Sequence, residues 1–245
     1  MRDSALWITW YDLPQKGRDK HLAWLHDTYM PRQLERDGIL WAAHYASVEQ
    51  PAQTRKKKPR RYPPAGTVAG GYRYMLIFGG ESAQAFARPT TPRQTNAQLP
   101  DKERKLLAMR TGETVNIMIE QARIDGPDAA RRERGAGLSP CIQLGSFVHD
   151  DDDALFEWYM QWRLPSMTTL PGLVGARKLV SASGWAKHAI LHEFVSLESR
   201  NKNFVDHERK HHPEQAEWSE RVTGQVLHYP GSPNVATRLA SLVKN

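Results

Sequence analysis

Residues 24–47 read WLHDTYMPRQLERDGILWAAHYAS, and residues 158–181 read WYMQWRLPSMTTLPGLVGARKLVS. Trp24, Pro31, Gly38 and Ser47 recur as Trp158, Pro165, Gly172 and Ser181, always 134 positions later. Apolar character is kept between the identities, Ile39 and Leu40 answering Leu173 and Val174, and Ala42 answering Ala176. Four in-register identities in an otherwise aperiodic chain point to a tandem duplication of one supersecondary unit. Two copies are too few for a solenoid, so a pseudo-symmetric pair of domains is expected.

Working outward from that stretch, residues 6–13 (LWITWYDL) are aromatic and β-branched and stop at Pro14, which predicts a strand. Residues 17–30 carry a helix that Pro31 should end or kink. After the Asp37-Gly38 turn, residues 39–48 and 72–78 predict strands two and three, with a short helix at 82–86 and a charged one at 101–109. Residues 114–124 alternate Val115, Ile117 and Ile119 against Asn116, Met118 and Glu120 and suit a fourth strand, with helix as the competing reading. The second copy repeats the series: strand 141–148, helix 151–164 with Leu155, Trp158, Tyr159 and Trp162 on one stripe, strands 173–180 and 187–197, helical material at 203–221, and a strand at 224–229. Residues 235–244 predict a terminal helix.

Each copy therefore reads β-α-β-β-α-β, the ferredoxin-like unit whose helices cover one face of an antiparallel sheet. The expected fold class is α+β. Two tandem ferredoxin-like units, residues 1–125 and 139–245, are joined by a glycine-rich linker at 126–138, and a basic insertion at 51–69 interrupts the first. Their sheets are expected to press bare face to bare face as a pseudo-dimeric α+β barrel.

The order of an aromatic helix, a proline and a glycine opening strand two resembles the dimeric α+β barrel superfamily in its tandem form, and is most similar to EthD-like proteins. Many EthD-like proteins place a histidine two residues before the first proline. Tyr29 and Arg163 stand there in this chain, and His26 lies one helical turn earlier. The resemblance implies cofactor-free isomerases, cyclases or monooxygenases acting on small aromatic or polyketide-like molecules, and equally heme enzymes, so it leaves the chemistry open.

The formal charge of +7 favours anionic partners. Cys141 is the single cysteine, which excludes an intramolecular disulfide, and no stretch approaches the ~20 apolar residues of a membrane helix, so a cytoplasmic protein is expected. Nucleophile-elbow, dinucleotide and P-loop patterns are absent, which argues against hydrolase, dehydrogenase and kinase chemistry. Residues 207–211 (HERKH) match the zinc-protease pattern, but charged middle positions and the following His212-Pro213 read as a solvated helix, and no metal site is expected. The basic run at 55–61 lacks any accompanying nucleic-acid-binding signature and reads as a surface loop, so nucleic acid is not an expected partner.

Strand alternation gives each copy one aliphatic face and one that mixes aromatic and polar side chains. Assigning the mixed face to the space between the sheets predicts a lumen in which Trp7, Tyr11, Trp41, Tyr45, Tyr72 and Tyr74 face Gln143, Arg177, His188 and His192. In that arrangement His192 or His188 serves as general acid or base, Arg177 holds a carboxylate or enolate, and the aromatic rings stack on the substrate. His26 and Tyr29 reach the rim from the first helix. The expected function is a cofactor-independent isomerase, cyclase or lyase moving a proton on an aromatic or unsaturated, anionic metabolite, as monomer or homodimer. The runner-up is a heme enzyme similar to the chlorite dismutases, and the third reading a non-catalytic binding protein.

Overall fold

A computed structural model describes residues 2–48, 60–204, 207 and 212–244. In the first half β1 (Ala5–Asp12), β2 (Ile39–Ser47), β3 (Tyr74–Gly80) and β4 (Thr111–Asp125) lie in the order β4-β1-β3-β2. In the second, β5 (Cys141–His149), β6 (Leu173–Ser183), β7 (His188–Phe194) and β8 (Val226–His228) lie in the order β8-β5-β7-β6. Both halves thus set their strands fourth, first, third, second. β4 pairs with β6, and β9 (Asn234–Val243) bridges β2 to β5, so that eight antiparallel strands close into a barrel with short β8 outside the ring. Closure leaves the eight strands without exposed edges.

β9 replaces the predicted terminal helix. Its sequence, NVATRLASLV, does not strongly favour either state, but β2 and β5 each present an edge whose backbone groups need partners. Satisfying two edges at once outweighs local propensity.

Neither helix stops at its proline. α1 (Arg18–Trp24) widens into a π-helical turn over Leu25–Tyr29 and continues as α2 (Met30–Leu34); after α3 (Pro92–Ala97) and α4 (Asp101–Leu107), α5 (Asp152–Trp158) widens over Tyr159–Arg163 and continues as α6 (Leu164–Met167). Pro31 and Pro165 have no N–H to donate backwards, and the wider turn ahead of each relieves the ring's clash with the preceding carbonyl. Both π turns and the positive-φ glycines that open strand two, Gly38 at 75° and Gly172 at 83°, keep the 134-residue spacing. The sequence repeat is therefore a repeat of backbone detail. α7 (Leu197–Asn203) and α8 (Ala216–Gly224) complete the second half's cover.

The barrel interior is packed with Leu6, Ile8 and Trp10 of β1, Trp41, Ala43 and Tyr45 of β2, Met75 and Ile77 of β3, and Ile142, Leu144, Leu179 and Leu191 from the second half. Under the helices lie Trp7, Tyr11, Leu76 and Phe78 against Leu25, Tyr29 and Met30. Strand two is oriented as predicted, with Trp41, Tyr45 and Arg177 pointing inward. Strands one and three are turned over, which takes Trp7, Tyr11, Tyr74, Gln143, His188 and His192 out of the lumen and puts them beneath the helices. Tyr72 precedes β3 and is 43% exposed. Register explains why strands one and three turn over together: Trp7 pairs with Phe78 and Gln143 with His192, so each pair shares a face. The lumen offers few partners for phenols and imidazoles, whereas the helix layer supplies carbonyls, carboxylates and other rings.

The basic run is only partly within the described residues, positions 55–59 lying outside them. Arg61 is not free: its carbonyl accepts from His228 N at 2.9 Å, and its guanidinium meets Asp150 at 3.0 Å. The far end of the basic run is thus fastened to the second half, and a deletion that spares the fold has to stop short of Arg61. Of the HERKH motif, positions 208–211 lie outside the described residues, and His207 is buried beside the Ser166 carbonyl at 3.1 Å.

Candidate active site

Beneath the first half's helices, Tyr11 of β1, His44 of β2 and Tyr74 of β3 stack as three nearly parallel rings. Centroids are 6.0 Å apart for Tyr11 and His44, 5.6 Å for His44 and Tyr74, and 5.6 Å for Tyr11 and Tyr74. The π turn aims His26 at this stack. His26 Nε2 lies 2.8 Å from His44 Nδ1, and His44 Nε2 lies 2.8 Å from Tyr11 Oη. A continuous hydrogen-bonded relay therefore runs from half-buried His26 through fully buried His44 to fully buried Tyr11. A neutral imidazole donates at one nitrogen and accepts at the other, so the relay can point in either direction and shift as a unit.

Burial keeps the relay uncharged. It lowers the pKa of His26 and drives His44 well below the ordinary histidine value, with the nearby His26 and Arg110 charges adding to the effect at His44. The same desolvation raises Tyr11 above the ordinary phenol value. At neutral pH the accessible group, His26, is a free base with a proton acceptor or donor behind it. π turns recur at functional sites because the extra residue re-aims a side chain, and His26 sits inside one.

Around this relay, Arg110 follows α4, lies 4.3 Å over the Tyr11 ring, and meets Glu113 at 3.0 Å. His21 sets Nδ1 2.9 Å from the Leu106 carbonyl. Tyr29, predicted at the rim, is fully buried and donates to Asn96 Oδ1 at 2.7 Å, a packing role beneath α3.

The corresponding places in the second half hold Phe147, Lys178 and His188. His188 Nε2 lies 2.8 Å from Asp152 Oδ1, and its Nδ1 lies 3.0 Å from Lys178 Nζ. Burial pushes Lys178 down to about 7 and His188 down to about 4. His192 is 2% exposed, its ring 5.1 Å from Phe204 and 6.3 Å from Phe194, and burial followed by the Arg163 charge pushes it down to about 3. Gln143 Oε1 accepts from Arg200 Nε at 3.0 Å. Trp7 donates its indole N–H to Thr9 Oγ1 at 3.0 Å and packs on Phe78.

Arg177 stays inside the barrel but is already neutralised. It pairs with Asp3 and stands 3.6 Å from Glu193, all three buried. Together with Trp41 it borders a cleft of about 990 Å³ at one mouth of the barrel, where Arg2, Arg123, Arg132 and Lys244 alternate with Asp3, Asp37, Glu81 and Asp125. Tyr45 donates to the Ser139 carbonyl at 2.8 Å within the packed interior. The predicted site thus divides: Arg177 and Trp41 share the mouth cleft, Tyr11, Tyr74 and His26 gather in the first half, and His188 and His192 lie under the second half's helices.

His44 and Lys178 are the residues that sequence reasoning passed over. They occupy the same place in the repeat, 134 apart, among small aliphatics on the helix-covered face. A polar residue retained at that place in both copies was the available signal.

No family model matches this chain, and no curated protein sequence matches it. Solved structures do share its architecture. A protein assigned as a monooxygenase from Lactobacillus acidophilus NCFM aligns over 100% of this chain and 98% of its own, with 12% identity and a TM-score of 0.52. An anthrone oxidase-like protein aligns over 100% and 94%, with 11% identity and a TM-score of 0.60. A protein assigned as a chlorite dismutase aligns over 98% and 96%, with 11% identity and a TM-score of 0.51. At such identities the likeness is one of fold alone, a mixed α+β chain whose antiparallel strands close into a barrel.

Proposed function

We propose that this chain is an enzyme of small-molecule metabolism that removes or returns a proton on an aromatic or unsaturated, anionic substrate, using His26 as general base backed by His44 and Tyr11. The observation that carries this reading is the unbroken relay from a half-buried imidazole to a fully buried phenol. We also infer that the two halves, residues 1–125 and 139–245, are tandem ferredoxin-like copies joined by 126–138, on the strength of their shared strand order and the paired π turns. The EthD-like resemblance rests on the motif around Pro31 and Pro165.

His26 takes the substrate's proton at its outward nitrogen, and the proton on its inner nitrogen moves toward His44. His44 in turn donates its own N–H to the Tyr11 oxygen, so polarisation along the relay spreads the imidazolium charge without moving a proton onto the phenol, which already holds one. Proton removal of this kind opens isomerisation, cyclisation and elimination, and it also precedes cofactor-free oxygenation, the chemistry suggested by the names of the monooxygenase and anthrone oxidase-like neighbours.

Heme chemistry has less support. His192 is the described histidine whose two ring nitrogens both lack a well-aligned hydrogen-bond partner, but Phe194 and Phe204 close around its ring and leave no slot for a macrocycle. The residues present do not fit that group, and a Soret band in the purified protein would overturn this.

The test is a panel of hydroxyaromatic and polyketide-like acids in deuterated buffer, with NMR following exchange at activated carbon and an electrode following dissolved oxygen. Exchange without oxygen uptake marks an isomerase, cyclase or lyase, and uptake marks an oxygenase. His26→Ala is expected to lower turnover roughly a hundredfold while the fold persists, the scale of losing a general base. Equal turnover in that variant, or a panel that shows no exchange, sinks the proposal. Because burial lowers the His26 pKa from 6.5, the base form survives mild acid, so activity should stay level through neutral pH and decline only as pH falls below 6.5. An acid limb centred above that value would contradict the assignment.

A further inference from the structure

Arg110 carries more hydrogen-bonding capacity than the protein uses. Its side chain is 2% exposed, Nη1 meets Glu113, and both Nε and Nη2 are buried without a hydrogen-bond partner among the described residues. Those two nitrogens share one edge of the guanidinium, and their N–H bonds run parallel, the geometry that takes a carboxylate with two bonds at once. Two unmade bonds on a buried cation are costly, and a native site that keeps them asks for an anion.

His21 adds a second, independent unpartnered atom beside the same ring. A carbonyl only accepts, so His21 Nδ1 carries the proton and donates to Leu106 O at 2.9 Å. Its Nε2 is then a bare acceptor, buried and without a partner. His21 lies 5.9 Å from Tyr11 by ring centroid, and the Arg110 guanidinium stands 4.3 Å from the Tyr11 ring and 5.8 Å from that of Tyr29. The charged and titratable groups facing Arg110 are Glu113, Tyr11, Tyr29, His21 and His44, and Glu113 is the one carboxylate among them. Burial and the Arg110 charge push His21 down to about 4, which keeps its acceptor nitrogen bare at neutral pH. Access is short, because Ala108, Thr111 and Gly112 on either side of Arg110 are exposed.

We propose that Arg110 and His21 form an anion subsite for a planar hydroxy-carboxylate, the carboxylate taken by the Nε/Nη2 edge of Arg110 and the neighbouring hydroxyl donating to His21 Nε2. The subsite deepens the reading of the first half as the active site and rests on it, since Arg110 lies over Tyr11, the inner end of the relay. It also supplies the oxyanion-holding role that Arg177, engaged with Asp3 and Glu193, does not fill.

Salicylate, benzoate and salicylamide are suitable probes, with binding to the full chain measured by calorimetry. Salicylate should bind tightest, benzoate about threefold to tenfold more weakly for want of the hydroxyl, and the uncharged amide weakest. Arg110→Lys keeps the charge but loses the fork, and should weaken salicylate about tenfold or more. His21→Phe should remove the preference for salicylate over benzoate while leaving benzoate unchanged. Should either variant fail to fold, the wild-type Arg110 Nε–H resonance, which should shift on adding salicylate and stay still with salicylamide, decides the matter without mutation. Equal binding of acid and amide, or an Arg110 signal indifferent to salicylate, overturns the subsite. These readouts are of binding and not turnover, so the subsite can fail while His26 still acts as base, and the reverse.

Discussion

Replacing Arg177 with methionine is expected to destabilise the fold by about 3–5 kcal/mol, the usual cost of leaving buried charges without their partner. Asp3 and Glu193 are 7% and 1% exposed, and both face this guanidinium, one from ahead of β1 and the other from β7. Arg123, which meets Asp3 at 3.0 Å, answers only part of the charge, and Glu193 keeps a backbone bond from Ser139 N at 3.0 Å. A melting temperature lower by roughly 6–20 °C is the expected readout for a chain of this size. A loss under about 1 kcal/mol would show that water reaches the mouth of the barrel and screens the pair.

The same variant should change the acid limb of stability. Burial alone would raise the Asp3 pKa, but Arg177 and Arg123 outweigh it and hold the carboxyl below its ordinary value. A folded-state pKa below the unfolded value of about 3.9 contributes stability above that pH and loses it as pH falls through the folded value. With Arg177 gone, burial gains weight, so acid unfolding should begin at higher pH than in the native protein. An unchanged acid midpoint would mean that Arg123 alone sets the Asp3 charge.

Gly79→Ala is expected to cost about 3 kcal/mol through overpacking. A methyl built there would fall 2.0 Å from Trp41 Cε2, and one at Gly137 would fall 2.2 Å from Cδ2 on the same indole. Trp41 is thus held against two glycines at the barrel's mouth, and Gly79 is in β3, between β1 and β2, where the backbone cannot yield without disturbing both ladders. The double variant Gly79→Ala, Trp41→Leu should recover part of the loss, because the smaller side chain vacates the space the methyl needs. Additive losses in thermal melts would show that the clash is with the strand and not with the indole.

The dependence of Trp41 on two distant glycines shows where one-dimensional reading stops. Trp41 was placed correctly on the inward face by alternation, but Gly137, in the segment between the halves, is a neighbour that no local pattern announces. Alternation also sorted the strands into faces correctly without telling which face was inner. In β1, β3 and β7 the aliphatic set went inside and the tyrosines and histidines went under the helices, opposite to the expectation, while β2 pointed the other way. His26 was recognised from its distance to Pro31, whereas its partner His44 was passed over among alanines. The relay joins residues 11, 26 and 44 through a π turn, and only the widened backbone brings His26 within 2.8 Å of His44.

What the sequence determined on its own was the recurrence of its Trp, Pro, Gly and Ser marks at a 134-residue spacing and most of the succession of strands and helices in each half, because hydrophobic periodicity, prolines and glycines act over a few residues. Tertiary structure decided which face of each strand became interior, that Asn234–Val243 became a strand, and which of the predicted polar residues meet. Those outcomes depend on the satisfaction of backbone edges and buried polar groups across the closed barrel, and that balance is struck only when chain segments far apart in sequence compete for the same partners.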